Sequence, residues 1–208
     1  MYLPRAFVEE DPAALERLLA RDPFVTLVTV QDGLPFASHL PVLHARRGDA
    51  LLLEGHWARP NPQSAHGGAA LVVVHGPHAY VSPAAYPDKV AAARVPTWNY
   101  ALAHLHGRLE PVADEDALGD LVARMSARFE SSVGSDWRFD ADDPAQRRQL
   151  RGIVGFRFHV ERAALKFKLS QNHPVANVEA VAAALAGRDP AGAEVAALMR
   201  EHLAKRRD

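Results

Sequence analysis

Two hydrophobic rhythms divide the chain. Leu15, Leu18 and Leu19 recur at helical spacing behind Asp11-Pro12. An aspartate accepts hydrogen bonds from the first free amides of a helix, and proline suits its first position. The same pair at Asp143-Pro144 and Asp189-Pro190 predicts two more helix starts. Asp22-Pro23 follows the leucines and predicts an exit. Asp114 predicts a cap for a helix carrying Leu118, Leu121, Val122, Met125 and Phe129 at helical spacing. From Asn177 the chain is alanine-rich and reads as two helices broken over 187–190.

The second rhythm is strand-like. Phe24 to Val30 is apolar and β-branched, Asp32-Gly33 predicts a hairpin turn, and a second strand runs from Phe36 to Leu43. Further strands are predicted over 50–54, 69–74, 78–82, 96–109 and 154–160. Six or seven strands among a few helices imply an α+β fold, a barrel or sandwich with helical additions, and not a βαβ series.

Composition narrows the partners. At 208 residues, 48% hydrophobic and 24% charged, the chain suffices for one substantial globular domain. A net charge of −1 gives no general pull towards nucleic acid or an anionic membrane. No apolar run approaches the roughly 20 residues of a membrane span. The start, Met1 to Arg5, lacks a signal peptide's basic and apolar regions, so a cytoplasmic location is expected. Cysteine is absent, which removes disulfides, thiol catalysis and thiolate metal sites. The 11 histidines include His104 and His106 on one strand face, but no carboxylate stands at a familiar ligand spacing. No metal site is therefore expected, while haem ligation by a single histidine stays open. Nucleophile-elbow, dinucleotide and Walker patterns are missing. The two C-terminal helices end in Arg200, Lys205, Arg206 and Arg207. Their alanine–leucine faces read as packing surface, and the basic end complements the helix dipole. Direct DNA binding is not expected.

Three polar stretches carry the candidate chemistry. "EGHWARPNPQ" (54–63) sets His56, Arg59 and Asn61 behind an apolar strand, as a solvated turn or as an anion site. "VPTWNYALAHLHG" (95–107) puts Trp98, Tyr100, His104 and His106 on one strand face and Asn99 on the other. "KFKLSQN" (166–172) contributes Lys168 and Gln171. Planar aromatics, amides and cations together suit a ligand with a flat ring and a phosphate.

The order of these motifs, with Met1-Tyr2-x-Pro4, "SHLPVL" at 38–43 and "GPHAYVSP" at 76–83, resembles the PaiB-like family of FMN-binding negative transcriptional regulators. The likeness runs from residue 1 to about 175. It places the chain among the FMN-binding split barrels, which include pyridoxamine phosphate oxidases and flavin reductases. The resemblance implies a six-stranded, Greek-key-like split barrel over 1–175. A helical extension over 176–208 would pack on the barrel or on a partner. It also implies a homodimer with FMN at the subunit interface. By the same resemblance, His56, Arg59 and Asn61 stand near the FMN phosphate and His39 near the ribityl chain or ring edge. Trp98, Asn99, Lys168 and Gln171 are further contacts. Where pyridoxamine phosphate oxidases show a serine-arginine-lysine cluster, this chain has Ala58-Arg59-Pro60, one hydroxyl and one lysine fewer. The implied function is flavin-linked regulation that acts indirectly. The alternatives are an FMN-dependent oxidoreductase, of flavin reductase or pyridoxamine phosphate oxidase type, and a barrel for haem or another small ligand. In an enzyme Tyr100, His104 or His106 would assist proton transfer, yet no residue marks itself as the catalytic acid or base, so the catalytic set is unknown.

Overall fold

The aspartates cap as their positions predict. In a computed structural model, which describes residues 1–205, Asp11 accepts from Ala13 N at 2.9 Å and opens α1 (Pro12–Arg21). Asp114 accepts from Ala117 N at 2.8 Å and opens α2 (Glu115–Ser132). Asp143 does the same for α3 (Pro144–Gln149) through Ala145 N. The alanine-rich region forms α4 (Val175–Ala186) and α5 (Pro190–Lys205), with Asp189 bonded to Gly192 N at 2.6 Å. Arg206 and Arg207 lie outside the described residues.

The strands are β1 (Val8–Glu9), β2 (Phe24–Gln31), β3 (Leu34–Pro41), β4 (Leu43–Arg47), β5 (Ala50–Ala58), β6 (Gly68–Val81), β7 (Thr97–Val112) and β8 (Ile153–Lys168). They form one sheet in the order β3-β2-β6-β7-β8-β5-β4, and β1 adds to β8. The pairs β2–β3, β2–β6, β4–β5, β5–β8 and β1–β8 are all antiparallel. The α+β expectation holds. Among the described residues the sheet has eight strands where six were expected, and its hydrogen-bonded order is an open path, not a closed ring.

The strand boundaries differ from expectation for physical reasons. The strands expected over 69–74 and 78–82 are one, since β6 runs through Gly76-Pro77. A Cβ at Gly76 would lie 2.5 Å from Ala101 O, so the glycine allows a close backbone approach within a continuous strand. β5 reaches Ala58, four residues further than expected, because Leu51, Leu53, Gly55 and Trp57 keep the inward alternation. A Cβ at Gly55 would meet the Phe156 ring at 2.6 Å and Pro41 O at 2.8 Å. Gly107 on β7 is tighter still, since its Cβ would fall 2.0 Å from His159 O.

The chain divides into two compact units, and β6, β7 and β8 each contribute to both. The first comprises 1–22, 75–104 and 164 onward. Its core holds Leu19, Ala101, Val181, Val195 and Met199, and α4 packs on α5. The second comprises 23–74 and 105–163. Its core holds Leu27, Leu53, Trp57, Phe156 and Phe158, with the Trp57 and Phe156 rings 4.7 Å apart. Each such side chain contributes about 1.5–3 kcal/mol on burial.

Candidate functional site

Four of the expected ligand contacts, His39, His56, Arg59 and Asn61, belong to the second unit. His56 lies near the end of β5, Arg59 and Asn61 follow it before a short 3-10 turn, Pro62–Ala65, and His39 is on β3. β5 pairs with β8 through Ala58↔Ile153, and Arg59 N extends the pairing to Gly152 O at 2.7 Å. The Arg59 side chain then turns onto the same segment. Its Nε donates to Arg151 O at 2.6 Å and its Nη2 to Ile153 O at 2.8 Å. These bonds fix the guanidinium plane and leave Nη1 outside them. Arg59 is exposed, and one donor edge faces away from the carbonyls it binds.

Asn61 has two jobs. Its Oδ1 caps the 3-10 turn by accepting from Gln63 N at 2.9 Å, and its Nδ2 donates to Ser38 Oγ at 3.0 Å. His39 is exposed and lies directly across from Thr26, with Nδ1 and Thr26 Oγ1 3.0 Å apart. His56 differs from these. Its Nδ1 is buried and has no hydrogen-bond partner among the described residues. Burial holds its pKa below the ordinary 6.5. At pH 7 the ring is thus neutral, and it offers an N–H donor in place of a charge.

The residue that organises this corner lies outside the set expected from the sequence. Gln63 is fully buried and bonds in four directions. Its Oε1 accepts from Trp57 Nε1 at 3.0 Å. Its Nε2 lies 3.1 Å from each of Leu27 O, Thr29 Oγ1 and Phe36 O. Thr29 Oγ1 in turn sits 2.7 Å from Nδ1 of the buried His66. Glutamine after Pro62 carries no spacing signal, and only burial reveals its role.

The other four expected contacts, Trp98, Asn99, Lys168 and Gln171, belong to the first unit. The alternation along β7 is as predicted: Trp98, Tyr100, His104 and His106 share the more open face, and Asn99 points inward and is fully buried. Trp98 is 52% exposed and makes an edge contact with Tyr80 at 5.8 Å. Asn99 Nδ2 donates to Ser170 Oγ at 2.9 Å. Lys168 Nζ donates to Trp98 O at 2.8 Å and to Thr97 Oγ1. Burial, and then the neighbouring charge of Lys166, lower the Lys168 pKa. Gln171 is engaged locally, accepting from Leu169 N at 2.6 Å and donating to Phe167 O. Asn99 and Lys168 thus stand together at one cavity, whereas Trp98 lines another with His78 and Tyr100.

Among the described residues no group of three or more histidines and carboxylates could hold a metal ion. No helix among them is long and apolar enough to cross a membrane.

Comparison with known proteins gives concordant results. Residues 1–162 match the family model described as "Putative FMN-binding domain". That span includes His39, His56, Arg59, Asn61, Trp98 and Asn99 and stops short of Lys168 and Gln171. The chain is 31% identical over 210 residues to "Protease synthase and sporulation protein PAI 2" of Bacillus subtilis, covering 99% of each. An uncharacterized protein of Emericella nidulans is 30% identical over 213 residues, covering 82% of this chain and 84% of its own. Among solved structures, a FAD and heme binding protein from Mycobacterium smegmatis matches with a TM-score of 0.56 at 21% identity, covering 77% of this chain and 72% of that one. The flavocytochrome Anf3 from Azotobacter vinelandii matches with a TM-score of 0.56 at 14% identity, covering 80% and 72%.

Proposed function

The chain belongs to this FMN-binding-domain family, and from that premise we propose that it is a flavin-binding split-barrel protein whose cofactor is FMN. The observation that carries the reading is the buried Nδ1 of His56, a polar atom without a partner three residues before Arg59. A buried ring nitrogen left unpaired is costly unless a ligand or water completes it. His56 and Arg59 Nη1 are the groups offered to the phosphate. Asn61 holds the turn that follows, and His39 serves the ribityl chain. When bound, the flavin supplies hydride or single-electron chemistry, and the protein supplies binding and electrostatics.

The finer reading is regulatory. The protein is a cytoplasmic homodimer with FMN at the subunit interface, and flavin occupancy or redox state sets its effect on gene expression through a partner. The net charge of −1 supports indirect action over direct DNA contact. Steady NAD(P)H turnover by flavin-loaded protein would favour the oxidoreductase instead, and a Soret band would favour haem.

The test is an absorbance spectrum of purified protein, with and without added FMN, after desalting. Retained flavin is expected, and Arg59→Ala weakens it at least about tenfold, since a charged hydrogen-bond partner contributes roughly 1.5–3 kcal/mol. Protein that stays colourless after FMN is added overturns the reading.

A further inference from the structure

A second set of polar groups stands entirely within the first unit, around a cavity of about 380 Å³. That volume falls in the range of small-molecule sites. The lining combines Tyr86, Arg94, Asn99, Lys168, Ser170 and His173 with the apolar segment 92–96 apart from Arg94 itself. Two features separate it from a solvated crevice.

The first is unmet hydrogen bonding. Tyr86 is 1% exposed, and its hydroxyl has no partner among the described residues. His173 stacks on the Tyr86 ring at 5.1 Å, and its Nδ1 is also buried and unpartnered. Native structures seldom leave such groups unpaired without a ligand, a water or a functional reason. The second is backbone strain at the same place. Ser170 adopts φ +65°, a left-handed conformation that side chains other than glycine seldom take. That conformation accompanies its bonds with Asn99.

Charge sets the ligand class. Arg94 lies 5.6 Å over the Tyr86 ring, but Asp88 holds its guanidinium on two sides, with Nε to Oδ1 at 2.9 Å. Asn177 Nδ2 adds a third bond to that carboxylate at 2.9 Å. Arg94 is therefore compensated. Lys168 is not, because among the described residues the lining holds no acidic residue and its ammonium binds a carbonyl and a hydroxyl. One uncompensated cation beside an apolar wall favours an organic monoanion over a doubly charged phosphate.

We propose that this cavity binds a small organic carboxylate, with Lys168 receiving the charge and Tyr86 and His173 supplying hydrogen bonds, at a site separate from the flavin phosphate. Benzoate and its neutral counterpart benzamide are suitable probes for calorimetric titration of the full chain. Benzoate is expected to bind, and benzamide at least about tenfold more weakly. Lys168→Met lowers benzoate affinity by a similar factor. Tyr86→Phe removes one oxygen and weakens benzoate binding about threefold or more while raising the melting temperature. A merely structural hydroxyl would leave benzoate binding unmoved. If Lys168→Met does not fold, Tyr86→Phe decides alone. Absent benzoate binding, equal binding of the two probes, or unchanged affinity in Tyr86→Phe overturns the proposal. The titration is repeated after FMN saturation. Unchanged benzoate affinity supports a separate site, and displacement by FMN overturns it. In protein that takes up no flavin, benzoate binding still supports this site, so the two readings fail independently.

Discussion

The corner at 59–66 and the cavity around Tyr86 are built from similar side chains and differ in how those are matched. At the corner, Arg59 binds two carbonyls, Asn61 caps a turn and holds Ser38, and Gln63 binds four groups. Among the described residues considered for FMN, His56, on the strand before the corner, keeps a buried atom unpaired. Around Tyr86, two buried atoms are unpaired, and a lysine has no acidic neighbour in the lining. A run of polar residues in sequence is thus a poor guide to binding, because its donors can be committed to the fold. The matched corner gives geometry, and the unmatched atoms mark where a ligand gains.

The contrast can be broken most severely at Gln63. Gln63→Leu strips the Trp57 indole of its acceptor inside the core. A loss of about 3 kcal/mol or more is expected in urea unfolding. A loss below about 1 kcal/mol would show that the network is not what holds the corner. Next comes Arg59→Lys. Lysine keeps the charge but cannot hold two carbonyls with a planar fork. FMN affinity should fall between wild type and Arg59→Ala, and equality with wild type would mean that charge alone matters.

A pH series sharpens the comparison further. Burial lowers the pKa of His56, His106 and His173 below 6.5, aided at His106 by Arg162 and at His173 by Arg94. The unfolded chain then takes up protons more readily than the folded one. Their contribution to stability is complete above pH 6.5 and is lost as pH falls through the lowered values. The urea midpoint should be lower at about pH 5.5 than at about pH 7.5, with part of the difference removed in His56→Gln. A flat profile contradicts the burial argument. The smallest effect is expected from Tyr86→Phe, which removes a buried unpaired hydroxyl and raises stability by about 1 kcal/mol.

Much of the fold was legible. Asp-Pro and the Asp114 cap located α1, α2, α3 and α5, and alternation along β7 assigned its two faces correctly. Two of the errors share a cause, which is that glycine and proline punctuate a sequence whatever their surroundings. Gly55 and Gly76 lie inside strands because neighbouring atoms crowd their missing side chains. β4 was hidden for another reason. Its residues are half-buried at Leu43 and His44 and exposed beyond, so no hydrophobic rhythm announces it. For the site, motifs drew attention to Arg59, Asn61, Asn99 and Lys168. They could not show that Gln63 organises one region or that Tyr86 and His173 meet in another, since burial and ring contacts join residues far apart in the chain.

The close pass of β7 over His159 at Gly107 offers a handle for genetics. Any side chain there collides with a backbone carbonyl, which cannot rotate out of the way. Gly107→Ala therefore touches none of the residues assigned to FMN or to the carboxylate. In a living cell it should act as a conditional allele, tolerated in the cold and lost on warming. The phenotype that appears on the temperature shift would report what the organism needs the protein for, without presuming which ligand matters.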